Sequence, residues 1–355
     1  MFVNKITVRN FRNHTSKTIE FAPGVNVVSG ENASGKTNLV EAIYYLSTAR
    51  SFRNASPNEL IKKGEVYGEI EASIYEGKIR RDIRVLILKK GRQVLINGKK
   101  VSKLSELSKC VNVLLFEPKD VMLFKGAPKD RRDFLDINLS KKYVSYLEYL
   151  SRYDAALRER NEVLKSSSVD EKLLESTTEL LVKYSLPIVE YRTQYVKDIN
   201  DILIKITRAL TGVNGKIEII YKPFVPFTAN FKSDALKAFN AARESDLKYK
   251  ATSTGIHRED FVTLLNGRDI GLYGSQGENR LLAIALKIAP YFLIEDKDKR
   301  PVIVLDDVMS ELDAKHQEKL TEFVKKLGQV FITATELEIS GATQIKLKSN
   351  EKEVF

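Results

Sequence analysis

A single cysteine, Cys110, stands in 355 residues, so no disulfide can form within the chain and no thiolate cluster can hold zinc. Histidine is nearly as scarce, with only His14, His257 and His316, too far apart in the chain to read as a metal-binding motif. No run approaches the roughly 18 apolar residues that a membrane span needs. The opening MFVNKITVRNF alternates apolar and polar residues and lacks the apolar block of an export signal. A cytoplasmic chain that does not enter a membrane is expected. Internal repeats and low-complexity segments are also missing.

What is abundant is positive charge: 58 Lys and Arg against 47 Asp and Glu leave a net +11, which favours a polyanionic partner. The excess is local. From Lys78 to Lys103 ten basic residues meet one acid, Asp82. These residues alternate with apolar ones in KIRRDIRVLILKK and RQVLINGKKVS, with turn signals at Lys90-Gly91 and Asn97-Gly98, the pattern of an antiparallel meander. Arg80, Arg81, Lys89 and Lys90 are its candidate contacts to a nucleic-acid backbone. Outward-facing lysines that protect strand edges are the competing explanation.

Three stretches are distinguishable. Residues 1–130 begin with strands, a glycine-rich turn and a helix over 38–46, then the meander. Residues 131–249 carry helical spacing through Leu147, Leu150, Leu157 and Leu164, a capping box from Ser168 to Glu171, and Pro187 suited to the first turn of a further helix that closes before Gly212. They form either a compact lobe or an elongated arm. Residues 250–355 return to the α/β style, with a helix over 276–292, the strand PVIVLDD, a helix over 314–327 and the strand QVFITAT. The fold class expected is an α/β P-loop ATPase head with mixed sheets, interrupted by a helical insertion.

The segment Gly30-Glu31-Asn32-Ala33-Ser34-Gly35-Lys36-Thr37 matches G-x-x-x-x-G-K-[ST] and lies between an apolar strand and a helix. Such a loop turns backbone N–H groups onto phosphates, Lys36 reaches the β and γ oxygens, and Thr37 ligates Mg²⁺. Gly30, Asn32, Ser34, Gly35, Lys36, Thr37 and Asn38 are therefore candidate nucleotide contacts. The strand Val302-Ile303-Val304-Leu305 ends in Asp306-Asp307. Asp306 suits the metal side and Asp307 the general base or water-positioning role, a place more often held by glutamate; the shorter side chain points to slow hydrolysis. Ser275, Gly277 and Glu278 open a helix some 30 residues before the acidic strand, where ABC ATPases carry their signature.

KITVRNFRNH, GENASGKTNLVEAIYYLSTARSFR, FEPKDVMLFKGAPKDRRDFLD, STGIHRED, YGSQGENR and LDDVMSELD, in that order and spanning nearly the whole chain, resemble the RecF family. That family is similar to the heads of SMC and Rad50 proteins. The resemblance implies two heads that sandwich two ATPs, each signature touching the other copy's nucleotide and the loop Ser310 to Asp313 crossing the interface. It also implies an ATP-dependent homodimer that clamps duplex or gapped DNA, works with RecR and RecO, and supports RecA loading in recombinational repair. Two departures stand out: Thr333-Ala334-Thr335 occupies the place of a switch histidine, and FEPKDV has no Q-loop glutamine.

Arg12, Arg50 and Arg53 flank the P-loop unit as contacts to phosphate or DNA, or as solvated side chains. His257 and Arg258 carry no assigned role, and Cys110 reads as a core residue. A transporter's nucleotide-binding subunit shares the three motifs but calls for a Q-loop and switch histidine, and gives no reason for a basic meander. An SMC-like scaffold needs far more coiled coil than the helical stretch provides, and the signature disfavours a P-loop kinase.

Overall fold

The computed structural model describes residues 1–102, 105–212, 215–274 and 276–348; Lys103 and Ser275 lie outside the described residues. The chain divides into two compact units. One comprises residues 1–120, 206–212 and the chain from 280 onward, the other residues 121–205 and 213–279.

The first unit holds two sheets. One is parallel, with strands in the order Thr343–Lys346, Val25–Ser29, Val330–Ala334, Val302–Leu305, Val113–Phe116. Four of its strands, VNVVS, VFITA, VIVL and the edge strand VLLF, are buried at every position, as continuous apolar runs in a parallel sheet should be. The other is antiparallel, in the order His14–Glu20, Phe2–Phe11, Tyr67–Glu76, Ile79–Leu88, Gly91–Ile96, Lys99–Lys100. Alternation decides its faces: Ile83, Val85 and Ile87 are buried, while Arg80, Asp82 and Arg84 point the other way. Asn97 and Gly98 both take positive φ (48° and 77°), as a tight two-residue hairpin requires. The other turn is Lys89-Lys90, because Leu88 pairs with Gly91.

Both sheets and the helix Lys36–Thr48 share one apolar core, in which Ile6, Ile70 and Val85 meet Leu39, Ile43, Val304 and Phe331. The buried Gln329 side chain joins the two sheets. Its Oε1 accepts the Val3 N–H at 2.8 Å and its Nε2 donates to the carbonyls of Val3 at 2.8 Å and Ala22 at 3.0 Å. An amide thus stands in for a strand neighbour.

The second unit is mainly helical, with Pro128–Lys142, Val144–Lys165, Phe231–Tyr249 and most of Glu171–Thr211, plus a three-stranded antiparallel sheet ordered Arg268–Asp269, Asp260–Leu265, Ile217–Lys222. Three features differ from the sequence expectation. Pro187 lies inside one 41-residue helix and starts no new one. Burial of Leu181, Val182, Ile188 and Val189 on both sides of it (0–4% exposed) outweighs the cost of about 3 kcal/mol for an interior proline. Asp170, not Ser168, caps that helix, accepting the Leu173 N–H at 3.0 Å. Residues 250–279 join this unit and not the head, because Asp260–Leu265 pairs with Ile217–Lys222 along its whole length and Arg131 grips Asp260 through Nε at 2.6 Å and Nη2 at 3.0 Å.

Charged groups tie this unit together internally. Arg192, 1% exposed, donates to Glu259 Oε2 at 2.5 Å and Asp136 Oδ1 at 2.7 Å, and Tyr221 also donates to Glu259. Two residues before Glu259, His257 Nε2 lies 3.1 Å from the Thr252 carbonyl, so that nitrogen carries the proton and Nδ1 accepts from the Tyr153 hydroxyl at 2.8 Å. Burial pushes the imidazole down to about 4. A folded value below the unfolded one of about 6.5 means that the stabilisation is complete above that pH and is lost as pH falls toward 4. Acidification from pH 7.5 to 4.5 should therefore remove about 2 kcal/mol more stability from the wild type than from His257→Gln. Urea unfolding at the two pH values measures this; equal losses would mean that His257 does not titrate on unfolding.

Candidate functional site

The strand Val25–Ser29 runs into the loop 30–35, which leads into the helix Lys36–Thr48. Gly30 (φ 153°) and Gly35 (φ 94°) are required there: a Cβ on Gly30 would lie 2.4 Å from the Leu347 carbonyl oxygen, and one on Gly35 would lie 2.5 Å from His14 Cε1. With Ala33 also at positive φ (66°), the backbone turns tightly ahead of the helix N-terminus, the conformation in which loop N–H groups can face an anion. Lys36 Nζ donates to the carbonyls of Gly30 at 2.7 Å and Glu31 at 2.8 Å, which keeps the cation over the loop. Ser34 is 3% exposed and its hydroxyl has no hydrogen-bond partner. A buried donor of this kind fits an oxygen-rich anion. Asn32 is exposed, and Asn38 is held between Asn13 at 2.9 Å and Arg53 at 3.1 Å.

The parallel sheet carries the acidic strand to this loop, since Val330–Ala334 alone separates Val302–Leu305 from Val25–Ser29. Thr37 Oγ1 donates to Asp306 Oδ1 at 3.2 Å across 269 residues of sequence. Asp306 is 5% exposed; burial raises its pKa, and hydrogen bonds from Thr333 and Thr37 oppose the rise. These two hard oxygen donors suit Mg²⁺, which takes few protein ligands and completes its shell with phosphate and water. Among the described residues no group of three or more His, Cys, Asp or Glu is placed to hold a metal on its own. Asp307 is exposed and takes φ 48°, a left-handed conformation unusual for a side chain outside glycine.

Thr333, which the sequence shows only as standing in the place of a switch histidine, is bonded to the acidic pair. Its hydroxyl donates to Asp306 Oδ1 at 2.7 Å and accepts the Asp307 N–H at 2.8 Å. The signal was a lone hydroxyl in the buried strand VFITA. Arg12, left open between ligand contact and solvated side chain, is instead tied to the fully buried Glu41, its Nε and Nη2 each 2.8 Å from a carboxylate oxygen. Where a Q-loop glutamine would stand, Glu117 pairs with Lys119 at 2.8 Å, and Asp120 with Lys287 at 2.8 Å.

The helix Gln276–Phe292 starts with Gly277 and Glu278 exposed, and a Cβ on Gly277 would meet nothing within 4 Å. Ser275 is outside the described residues. Arg280 is buried and pairs with Glu311 in the loop after the acidic strand, and Ser310 Oγ donates to the Asp307 carbonyl at 3.2 Å. Asp313 ends that loop by accepting the His316 N–H at 2.9 Å, capping the helix Ala314–Val324.

The structure does not bring the four meander residues together. Arg80 pairs with Asp82 at 3.0 Å on the outer face, whereas Arg81 is on the face of Ile83 and pairs with Glu76. Both belong to the end of the sheet where Glu76 pairs with Ile79. Lys89 and Lys90 occupy the turn at the opposite end, exposed and without an ion pair among the described residues. Between the ends, Arg9 and Arg84 are bound up with Glu69 and Glu71.

The RecF/RecN/SMC N terminal domain family matches residues 2–352. The chain is 34% identical over 349 residues to the DNA replication and repair protein RecF of Lactobacillus delbrueckii subsp. bulgaricus, covering 95% of this chain and 92% of that one. With RecF of Clostridium perfringens the identity is 35% over 340 residues, covering 95% and 94%. A solved structure of the recombination mediator protein RecF with ATPrS, from the RecFOR pathway, has a TM-score of 0.88 at 33% identity, covering 97% of this chain and 95% of that one. The Smc head domain of Pyrococcus furiosus, at TM-score 0.57 and 17% identity over 94% of this chain and 90% of that one, is alike in fold alone. The architecture is that of the RecF and SMC ATPase heads, and the chain belongs to the RecF family of DNA replication and repair proteins.

Proposed function

We propose that this chain is an ATP-dependent DNA-binding ATPase of recombinational repair and replication. The observation that carries the reading is the Thr37–Asp306 hydrogen bond, which unites the phosphate loop with the acidic strand. ATP would lie against Gly30, Ser34, Gly35 and Lys36, with Asn32 and Asn38 at the rim. Mg²⁺ would take Thr37 and Asp306, where it neutralises phosphate charge. Asp307 would orient the attacking water. The first unit is the ATPase head in this reading, and the second the helical arm.

ATP would join two copies about a two-fold axis, each signature, Ser275, Gly277 and Glu278, facing the other copy's γ-phosphate. The pair would hold duplex or gapped DNA, and slow hydrolysis would reset it. Relatives described as recombination mediators of the RecFOR pathway support RecR and RecO as partners; RecA loading would be the outcome. Among the described residues no helix is long and apolar enough to cross a membrane. A cytoplasmic protein fits this role. DNA binding measured with ATP, with ADP and without nucleotide, alongside sizing of the protein, tests the reading: affinity indifferent to nucleotide would reject it.

The separated cations sharpen the DNA prediction. Lys89→Glu with Lys90→Glu should weaken binding to any sequence and lower the log-log salt slope by about 2, at about 0.9 per lost phosphate contact. Reversing Arg80 and Arg81 should do less, since Asp82 and Glu76 already offset them. ATP affinity should not move. An unaltered salt slope in the lysine pair would leave the meander as a solvated sheet.

A further inference from the structure

The geometry assigns to Thr333 the positioning of both carboxylates of the acidic strand, one through its hydroxyl proton and the other through its hydroxyl lone pair. This rests on the reading of Asp306 and Asp307 just proposed and adds a residue to it. The parallel register sets Leu305 beside Ile332, so the next residues, Asp306 and Thr333, are neighbours at the ends of their strands. Thr333 is 1% exposed. A hydroxyl buried in a strand otherwise made of Val330, Phe331, Ile332 and Ala334 is unfavourable unless bonded, and valine would fill the same volume with better strand preference.

Thr333 is bonded twice. As donor it reaches Asp306 Oδ1 at 2.7 Å, shorter than the 3.2 Å from Thr37 to the same oxygen. Thr333 therefore fixes the rotamer of Asp306, and with it the direction in which the carboxylate meets a cation beside Thr37. As acceptor, Thr333 Oγ1 takes the Asp307 N–H at 2.8 Å. That bond holds a backbone at φ 48° which an aspartate does not ordinarily choose, and so sets where the Asp307 carboxylate projects. With threonine in the place of the switch histidine, one small side chain on the neighbouring strand orients both carboxylates.

The test uses the full chain and Thr333→Val, Thr333→Ser and Thr333→Ala. Without its acceptor, the Asp307 amide of the nucleotide-free Val and Ala variants should exchange its hydrogen about 10-fold faster, as expected for one lost hydrogen bond, while Ser stays near wild type. ATP affinity in EDTA should be unchanged in all three, because the phosphate loop is untouched. The gain in affinity on adding Mg²⁺ should shrink in Val and Ala, and turnover should fall about 10- to 100-fold, the scale of a misplaced catalytic group, with Ser again restoring both. Equal behaviour of Ser and Ala would overturn the assignment, since packing and not the hydroxyl would then matter; so would a Val variant with wild-type amide exchange and turnover. Should Val fail to fold, the Ser and Ala pair still decides. A wild type that neither binds nor hydrolyses ATP would defeat the functional reading alone, leaving the amide exchange to judge Thr333.

Discussion

Lys36→Ala should raise the dissociation constant for ATP at least about 100-fold, an effect of roughly 3 kcal/mol. The reason is chemical and local. Lys36 Nζ, held 2.7 and 2.8 Å from two loop carbonyls, is a compact cation set where the β and γ oxygens would lie, and a methyl group leaves the loop N–H groups to hold that charge alone. The fold should survive, since Lys36 is only partly buried and alanine is the best helix former. Titration with a fluorescent ATP analogue, beside a circular dichroism melt, makes the comparison. Wild-type affinity in a folded Lys36→Ala protein would remove the nucleotide site from this loop.

Gly277→Asp should abolish ATP-dependent dimerisation while leaving ATP binding by each chain nearly intact. Space around Gly277 is open, so the added side chain disturbs no packing, and a carboxylate in the first turn stabilises its own helix. Toward a partner's γ-phosphate in the proposed sandwich, the same carboxylate would be a like charge where attraction is needed. Sedimentation with a non-hydrolysed ATP analogue and with ADP reads the result. Wild type should dimerise only with the analogue, and Gly277→Asp with neither. DNA affinity should fall in parallel if the DNA-holding surface spans two heads. A dimer in ADP, or a variant that still dimerises, would refute the two-fold sandwich.

The parts legible in the sequence are those in which local chemistry and position agree. Val25–Ser29, the glycine loop and the helix after it follow from an apolar run, obligatory turns and a lysine, and the helix Gln276–Phe292 from its apolar spacing. What escaped were pairings made by tertiary structure. Arg81 and Arg84 read as part of a basic stripe because their carboxylate partners, Glu76, Glu69 and Glu71, become neighbours only through strand register, whereas Asp82 beside Arg80 lies within the stretch itself. Thr333 is legible as the residue in the place of a switch histidine, but nothing in its own segment places it next to Asp306. Pro187 read as a helix start because the proline rule is local, whereas the burial of Leu181 and Ile188 that overrides it is not. The same holds for Asp260–Leu265: its partner strand lies some 40 residues earlier, beyond the reach of any pattern in the strand itself.

The order of the parallel sheet also bears on how the protein is made. Val25–Ser29, the first of its strands to leave a ribosome, lies between Val330–Ala334 and Thr343–Lys346, the last two to leave. Until those arrive, the strand that introduces the phosphate loop has both edges open, and Val3 lacks the Gln329 amide that joins the sheets. Contacts separated by some 300 residues close slowly and expose strand edges while they wait. The strand pairing of the antiparallel sheet has no such dependence: all of its strands lie within the first 100 residues. Synthesis should therefore yield a folded meander early and a competent phosphate loop only at the end, so that a chain stopped before Val330 is left with no working nucleotide site and two sticky edges.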